Sequence, residues 1–211
     1  MKENSIILHK ENGEILRDIQ IEGLKIDFFG QGNSVEIEEG SVFHNCHFKM
    51  RERCKIVIMR THERGLRNTV IDMAGSYDGY IEIDARTSIE SARFAMANEN
   101  KPYIYIGQDC MLSSNITFRA TDGHVIFDIN SKKILNKSKP IKIGSRVWIG
   151  SGATILKGSR VLNDSIIATQ AVVSKKFELP NIIIGGNPAK ILKYNINWDR
   201  QYIRDSGEYF E

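Results

Sequence analysis

The chain has 211 residues, 41% hydrophobic and 26% charged, with a formal net charge of +3. That length suits one ordinary domain with its own core, and the composition is that of a globular chain rather than a disordered one. So small a charge, with Lys and Arg scattered apart from pairs such as Lys132-Lys133, excludes the concentrated basic face of a nucleic-acid binder.

The opening MKENSIILHKENGEI lacks the long apolar core of a signal peptide. No apolar run approaches the ~20 residues that span a bilayer. Cys46, Cys54 and Cys110 are odd in number and widely spaced, which points away from a disulfide framework and towards a reducing compartment. A cytoplasmic location is therefore expected. Residues 1–35 have no clear phase. In the irregular coils expected over 1–102, Ile37 and Phe43 lie six apart, as do Ile83, Ile89 and Ala95 in turn. Residues 59–79 and 97–102 read as loops or irregular coils. His44, Cys46, His47 and Cys54 invite the thought of zinc. The spacing HNCH, however, puts His44 and Cys46 on one strand face and His47 on the other, a poor tetrahedron. His62 has no second ligand at a recognisable spacing, so no metal is expected.

Regular coils are expected over 103–178. Ile106, Leu112 and Phe118 step by six, and the next step lands on His124, at the edge of an interruption over 125–140 (VIFDINSKKILNKSKP). The beat resumes with Ile143, Ile149, Ile155, Val161, Ile167 and Val173, and the fifth positions (Val147, Ala153, Ser159, Ser165, Ala171, Phe177) are mostly small. A period of six suits neither a helix nor a long strand, so it describes short strands joined by corners. Within each strand the alternation of two holds, pointing Val147 and Ile149 inwards and Trp148 outwards. Coils stacked ~4.8 Å apart then make an all-β solenoid, a parallel β-helix in which each coil buries its face against its neighbours. With three hexads per coil, Trp148 should lie over Ile166, Ser151 over Thr169 and Lys157 over Lys175. These are apolar, hydroxyl and cationic columns on the outer wall.

After Val173 the beat ends. Pro180 and GGNPAK (185–190) mark a turn, and AKILKYNINWDRQYIRD reads as one or two short helices in a tail over 179–211. No Pro- or Ser-rich linker interrupts the chain, so 1–211 is read as a single domain.

The segments IGQDCMLSSNITFRATDGH, ILNKSKPIKIGSRVWIG, ATILKG, AVVSKK and GGNPAKILK, in that order, resemble the hexapeptide-repeat acyltransferases. The resemblance covers 103–193 well and the earlier coils loosely. It implies a left-handed β-helix, the opposite of the usual right-handed crossover. TD-x-H, VWIG and the NINWDRQY tail look most like the O-acetyltransferases that modify bacterial capsular polysaccharides, polysialic acid among them. The family then implies transfer of acetyl from acetyl-CoA to a hydroxyl of a cell-surface polysaccharide or its sugar precursor. It also implies a homotrimer with active sites between subunits.

The resemblance places the catalytic base at His124. Of the five histidines, only this one lies at a break between regular coils, and imidazole titrates near operating pH. Asp122 is a candidate to orient the ring, with capping of the loop backbone as the alternative. Trp148 is implied at the active site, its indole N–H or neighbouring amide donating to the oxyanion and its ring packing on the acyl or pantetheine chain. Filling a subunit interface is the plainer role for an outward tryptophan. The resemblance also implies coenzyme A contacts at Ser151, Thr169, Ser174, Lys175 and Lys190, besides Trp148. Many relatives carry Gly-Ala-Gly-Ser where this chain has Ala-Thr-Gln-Ala (168–171), so a backbone contact at Thr169 is better supported than a side-chain one. Direct attack on the thioester is simplest, with Ser113 and Ser114 as weak nucleophile candidates. The rival readings are an acetyltransferase of a small sugar, amino acid or amine, a metal hydratase, which needs three converging histidines, and a non-catalytic scaffold.

Overall fold

A computed structural model describes residues 3–201 and 203. The described chain is all strand and turn, wound as a three-sided stack. Its three sheets have eight, eight and seven strands, and the pairing from coil to coil is parallel. One coil shows the plan: Ile141–Ile143 lies on the first face, Trp148–Ile149 on the second, Thr154–Leu156 on the third, and Arg160–Val161 returns to the first. This is the architecture consistent with a left-handed β-helix.

Inward residues of successive coils stack into columns. On the third face the column runs Phe48, Ile71, Phe94, Phe118, Ile155 and Val173, all buried. Phe94 and Phe118 stack with centroids 4.7 Å apart and planes 9° from parallel. Each such ring removes large apolar area from water, worth roughly 1.5–3 kcal/mol. The three cysteines are free and buried, and burial pushes the Cys110 thiol up to about 12.

Corners turn through left-handed backbone. Between the second and third faces, Asn45, Asn68, Asn115, Gly152 and Gln170 all have positive φ. Asparagine tolerates this region better than most residues, and the Asn45 amide donates to Asn68 Oδ1 at 2.9 Å. Gly152 fits for a second reason, since a Cβ there would lie 2.4 Å from the Gln170 side chain.

The 18-residue coil holds from Ile143, which pairs with Val161, onward. Trp148 does lie over Ile166. Before the loop the coils are longer: Phe48 pairs with Ile71, 23 residues on, and Ile71's column continues to Phe94 after another 23. A strict period of six therefore misreads the first half. Phe94 is the buried residue where Ala95 was expected, because the corner after Ile89 is one residue shorter than the corner after Leu112. The stretch 59–79 is likewise not loop throughout, for it contains the nine-residue strand Thr69–Tyr77. His44 ends one strand, Asn45 turns the corner and Cys46 begins the next strand on another face, so HNCH spans a corner and the expected alternation does not apply.

The helical tail is not found. Lys190–Lys193 is a strand, antiparallel to Ile183–Gly185, and 194–201 contains no helix. The antiparallel strand caps the open end of the second sheet, which a helix would leave unpaired. Residues 202 and 204–205 of that expectation lie outside the described residues. Among the described residues no helix is long and apolar enough to cross a membrane.

Candidate active site

His124 lies where the chain leaves the stack. Ala120 and Thr121 are still buried, and Thr121 Oγ1 donates to the Ala97 carbonyl at 2.8 Å. From Asp122 the backbone swings out, and it returns at Ile141 on the first face. The loop therefore stands on the edge between the third and first faces. His124 is exposed.

Asp122 does not hold the imidazole. Its carboxylate pairs with Lys157 at 2.5 Å and accepts from Asn136 Nδ2 at 2.9 Å, and the same amide group donates to the His124 carbonyl at 2.8 Å. Lys157 also donates to the Asn136 carbonyl at 2.6 Å. Lys157, then Asn136, hold the Asp122 carboxyl below the usual carboxylate range. Asp122 and Lys157 thus pin both ends of the loop to the next coil and fix the backbone that carries His124. Among the described residues the partners of the Asp122 carboxylate are thus side chains, a half-buried lysine and an asparagine amide, rather than the loop backbone N–H groups that capping would need.

Trp148 points outwards on the second face, between Met111 and Ile166. Its indole N–H donates to Ser113 Oγ at 3.3 Å. Its ring is not bare. Trp198 from the tail packs beside it, centroids 6.2 Å apart and planes at 48°. Trp198 is anchored in turn, for its Nε1 donates to the Arg146 carbonyl at 2.7 Å and its own carbonyl accepts from Arg146 Nη2 at 2.9 Å. Asn181 and Ile196 bond reciprocally at 3.1 Å, and Arg200 reaches Ser88 Oγ at 2.9 Å and the Cys110 carbonyl at 2.8 Å. The tail is a strap across several coils, and it seats Trp148. Sequence reasoning missed Trp198 and Arg200. The available signal was that one of only two tryptophans falls in a polar tail, where it must find an apolar partner.

The candidate cofactor residues divide into two groups. Ser151 and Thr169 lie on the edge between the second and third faces, where the Gln170 amide donates to the Ser151 carbonyl at 2.9 Å. Gly150 lies directly beneath, since a Cβ there would meet the Thr169 nitrogen at 2.6 Å. Ser174 and Lys175 follow Val172–Val173 on the opposite margin of the third face, the margin that carries Lys157 and the His124 loop. Lys175 and Lys190, the latter from the strand that caps the second sheet, both line an open cleft of about 510 Å³, together with Phe177, Leu179 and Tyr194. The ammonium of Lys175 lies 5.3 Å from the Phe177 ring centroid. The expected columns therefore do not form one wall. Lys157, Ser174 and Lys175 share an edge with His124, Lys190 opens the strand that caps the second sheet, and Ser151, Thr169 and Trp148 lie elsewhere.

One separation matters for chemistry. In a three-sided stack, the edge between the first and third faces is opposite the second face. His124 occupies that edge and Trp148 the opposite face, so one chain does not bring the two side chains to a common reacting carbon.

No family model matches the chain. It is 41% identical over 130 residues to a polysialic acid O-acetyltransferase of Escherichia coli O1:K1 / APEC, covering 61% of this chain and 41% of that protein. It is 38% identical over 124 residues to a polysialic acid O-acetyltransferase of Neisseria meningitidis, covering 59% of this chain and 57% of that protein. The chain thus spans about half the length of the curated relatives it matches. A crystal structure of a polySia-specific acetyltransferase aligns with a TM-score of 0.56 and 26% identity, over 98% of this chain and 92% of that one.

Proposed function

We propose that this homologue of the polysialic acid O-acetyltransferases moves acetyl from acetyl-CoA to a hydroxyl of a capsular or other cell-surface polysaccharide, or of its sugar precursor. Polysialic acid is the acceptor to test first, because both curated relatives are named for it. His124 takes the proton of the attacking hydroxyl as that oxygen bonds to the thioester carbon. The tetrahedral intermediate collapses, the C–S bond breaks, and the coenzyme A thiolate recovers the proton from the imidazolium. The cleft lysines, Lys175 and Lys190, attract the phosphates of coenzyme A. Ser174 on the same margin, and Ser151 and Thr169 on the other, supply hydrogen bonds to the pantetheine arm.

The observation that carries the reading is an exposed histidine, on a pinned loop, sharing one edge of the stack with Lys157 and with Lys175 of the cleft. Because Trp148 faces the opposite way, its indole or neighbouring amide serves the oxyanion of a site completed by another copy. A closed homotrimer with three equivalent sites meets that need. The same reading takes the stack as left-handed, the chain as one domain, and its place as the cytoplasm, where acetyl-CoA is made.

The test is His124→Ala, assayed by free thiol release with acetyl-CoA and polysialic acid. Transfer should fall by about 10²–10⁴-fold, the usual share of a general base, while coenzyme A still binds in a calorimetric titration. A variant that keeps its turnover overturns the assignment.

A further inference from the structure

The edge between the first and second faces carries a row of arginines. Three of them have carboxylate partners: Arg60 with Glu11, Arg86 with Asp109 at 3.4 Å, and Arg146 with Asp164 at 2.8 Å. Two do not. Among the described residues no carboxylate lies within ion-pair distance of Arg64 or Arg200. Burial first, and then the charges of Arg200 and Arg64, hold the His62 imidazole below its ordinary value, and the Arg64 charge is felt at Arg200 as well. The acids whose fields reach this cluster are Glu63, Asp109 and Asp199, and Asp109 is committed to Arg86.

The cluster is held in place rather than adrift. Among the described residues, two of the five donors of Arg200 are tied, to Ser88 Oγ and the Cys110 carbonyl, and its guanidinium lies 6.0 Å from the Trp198 ring centroid. The His62 amide donates to the Thr87 carbonyl at 3.2 Å, next to Ser88. The Arg64 amide donates to His62 Nδ1 at 3.1 Å, which leaves Nε2–H of the neutral ring as a further donor. Among the described residues neither guanidinium has a carboxylate partner, and His62, tied to Thr87, stands beside Ser88 and the half-buried Arg200 that bonds to Ser88. Such an arrangement is unfavourable until an anion joins it.

We propose that Arg64, Arg200 and His62 form a carboxylate-binding subsite for an acidic glycan. A guanidinium fork matches a carboxylate in shape as well as charge. The position also suits a polymer. Ser88, Met111 and Trp148 occupy one outward column, so the Arg200 contact lies two coils from Trp148, roughly 10 Å at strand spacing. A chain with one carboxylate per sugar can leave an acid here while a hydroxyl of a nearby sugar reaches the acetyl group. This subsite rests on the proposed function for its substrate class.

The test is Arg64→Gln, since no side-chain hydrogen bond anchors Arg64 and the strap is untouched. A short oligosialic acid, and the same oligomer with its carboxyls reduced to alcohols, are titrated against wild type and variant without acetyl-CoA. The variant should bind the acid about tenfold more weakly, bind acetyl-CoA unchanged, and regain part of the loss as Arg64→Lys. The reduced oligomer should bind both proteins alike and weakly. Equal affinity of wild type and variant for the acid, or a reduced oligomer binding as tightly as the acid, overturns the subsite. A wild type that binds the acid yet transfers no acetyl breaks the functional reading and leaves the subsite standing.

Discussion

The two halves of the stack solve one packing problem with different amounts of chain. After the loop, a coil takes 18 residues, with two- and three-residue strands up to Val173 and a core of Ile, Val and Ala that is closed at its end by Phe177. Before it, a coil takes about 23, with strands such as Cys46–Glu52 and Thr69–Tyr77, and the core admits Phe48, Met50, Met73, Phe94 and Met96. A longer side of the triangle leaves more interior, and larger side chains fill it. The period of the sequence is thus a property of coil circumference. The fold itself needs only that inward residues meet inward residues one coil away.

The contrast can be broken most severely at the wide end. Phe118→Ala removes a buried ring where the wide coils meet the loop, and it should cost about 3–5 kcal/mol, measured by chemical denaturation. A loss below about 1 kcal/mol would mean the aromatic column is not the core of that half. The strap that ties the halves together comes next. Trp198→Ala should cost about 2–4 kcal/mol and lower kcat more than KM, because Trp148 loses the ring that seats it. Trp198→Phe should restore much of kcat, which a merely structural loss would not track. A W198A enzyme with unchanged kcat would remove Trp198 as a positioning residue.

Smaller effects probe the narrow coils. Gly152→Ala places a Cβ against Gln170 at positive φ and should cost about 1–2 kcal/mol, relieved in part by Gln170→Gly in a double-mutant cycle. Smallest is Asp122→Asn. Lys157 lowers the Asp122 carboxyl in the folded state, so its contribution is present above the unfolded carboxylate pKa of about 3.9 and fades as pH falls through the folded value. With Asp122 partly exposed, under about 1 kcal/mol is at stake. Thermal melts of wild type and variant should differ at pH 7 and converge below about pH 3. A constant difference across that range would deny the ion pair its part in holding the loop.

Much of this molecule was legible before folding. Residues 143–173 announce a three-sided coil because interior positions on short strands recur at a fixed interval, and that interval is local. His124 stands out for the same reason, as a polar residue where the interval demanded an apolar one. The resemblance then supplied roles for residues that spacing alone could not assign. What failed depended on circumference. Phe94 fills the interior where a strict step of six points to Ala95, and Thr69–Tyr77 is a strand within a stretch that reads as loop or irregular coil, because one residue more or less at a corner shifts the phase of everything after it.

Which wall each residue faces is set by the winding of the coils. The chain order His124, Trp148, Lys175 suggests one continuous surface, and the three-sided winding places the histidine and the indole on opposite sides. It also brought Trp198 to Trp148, and Arg200 to Arg64 and His62, across separations that no local pattern spans. The sequence by itself determined the rung, since alternation and corner chemistry act between neighbours along the chain. The stacking determined the neighbourhood, since burial and charge act through space, between residues whose distance depends on how many turns of the coil lie between them.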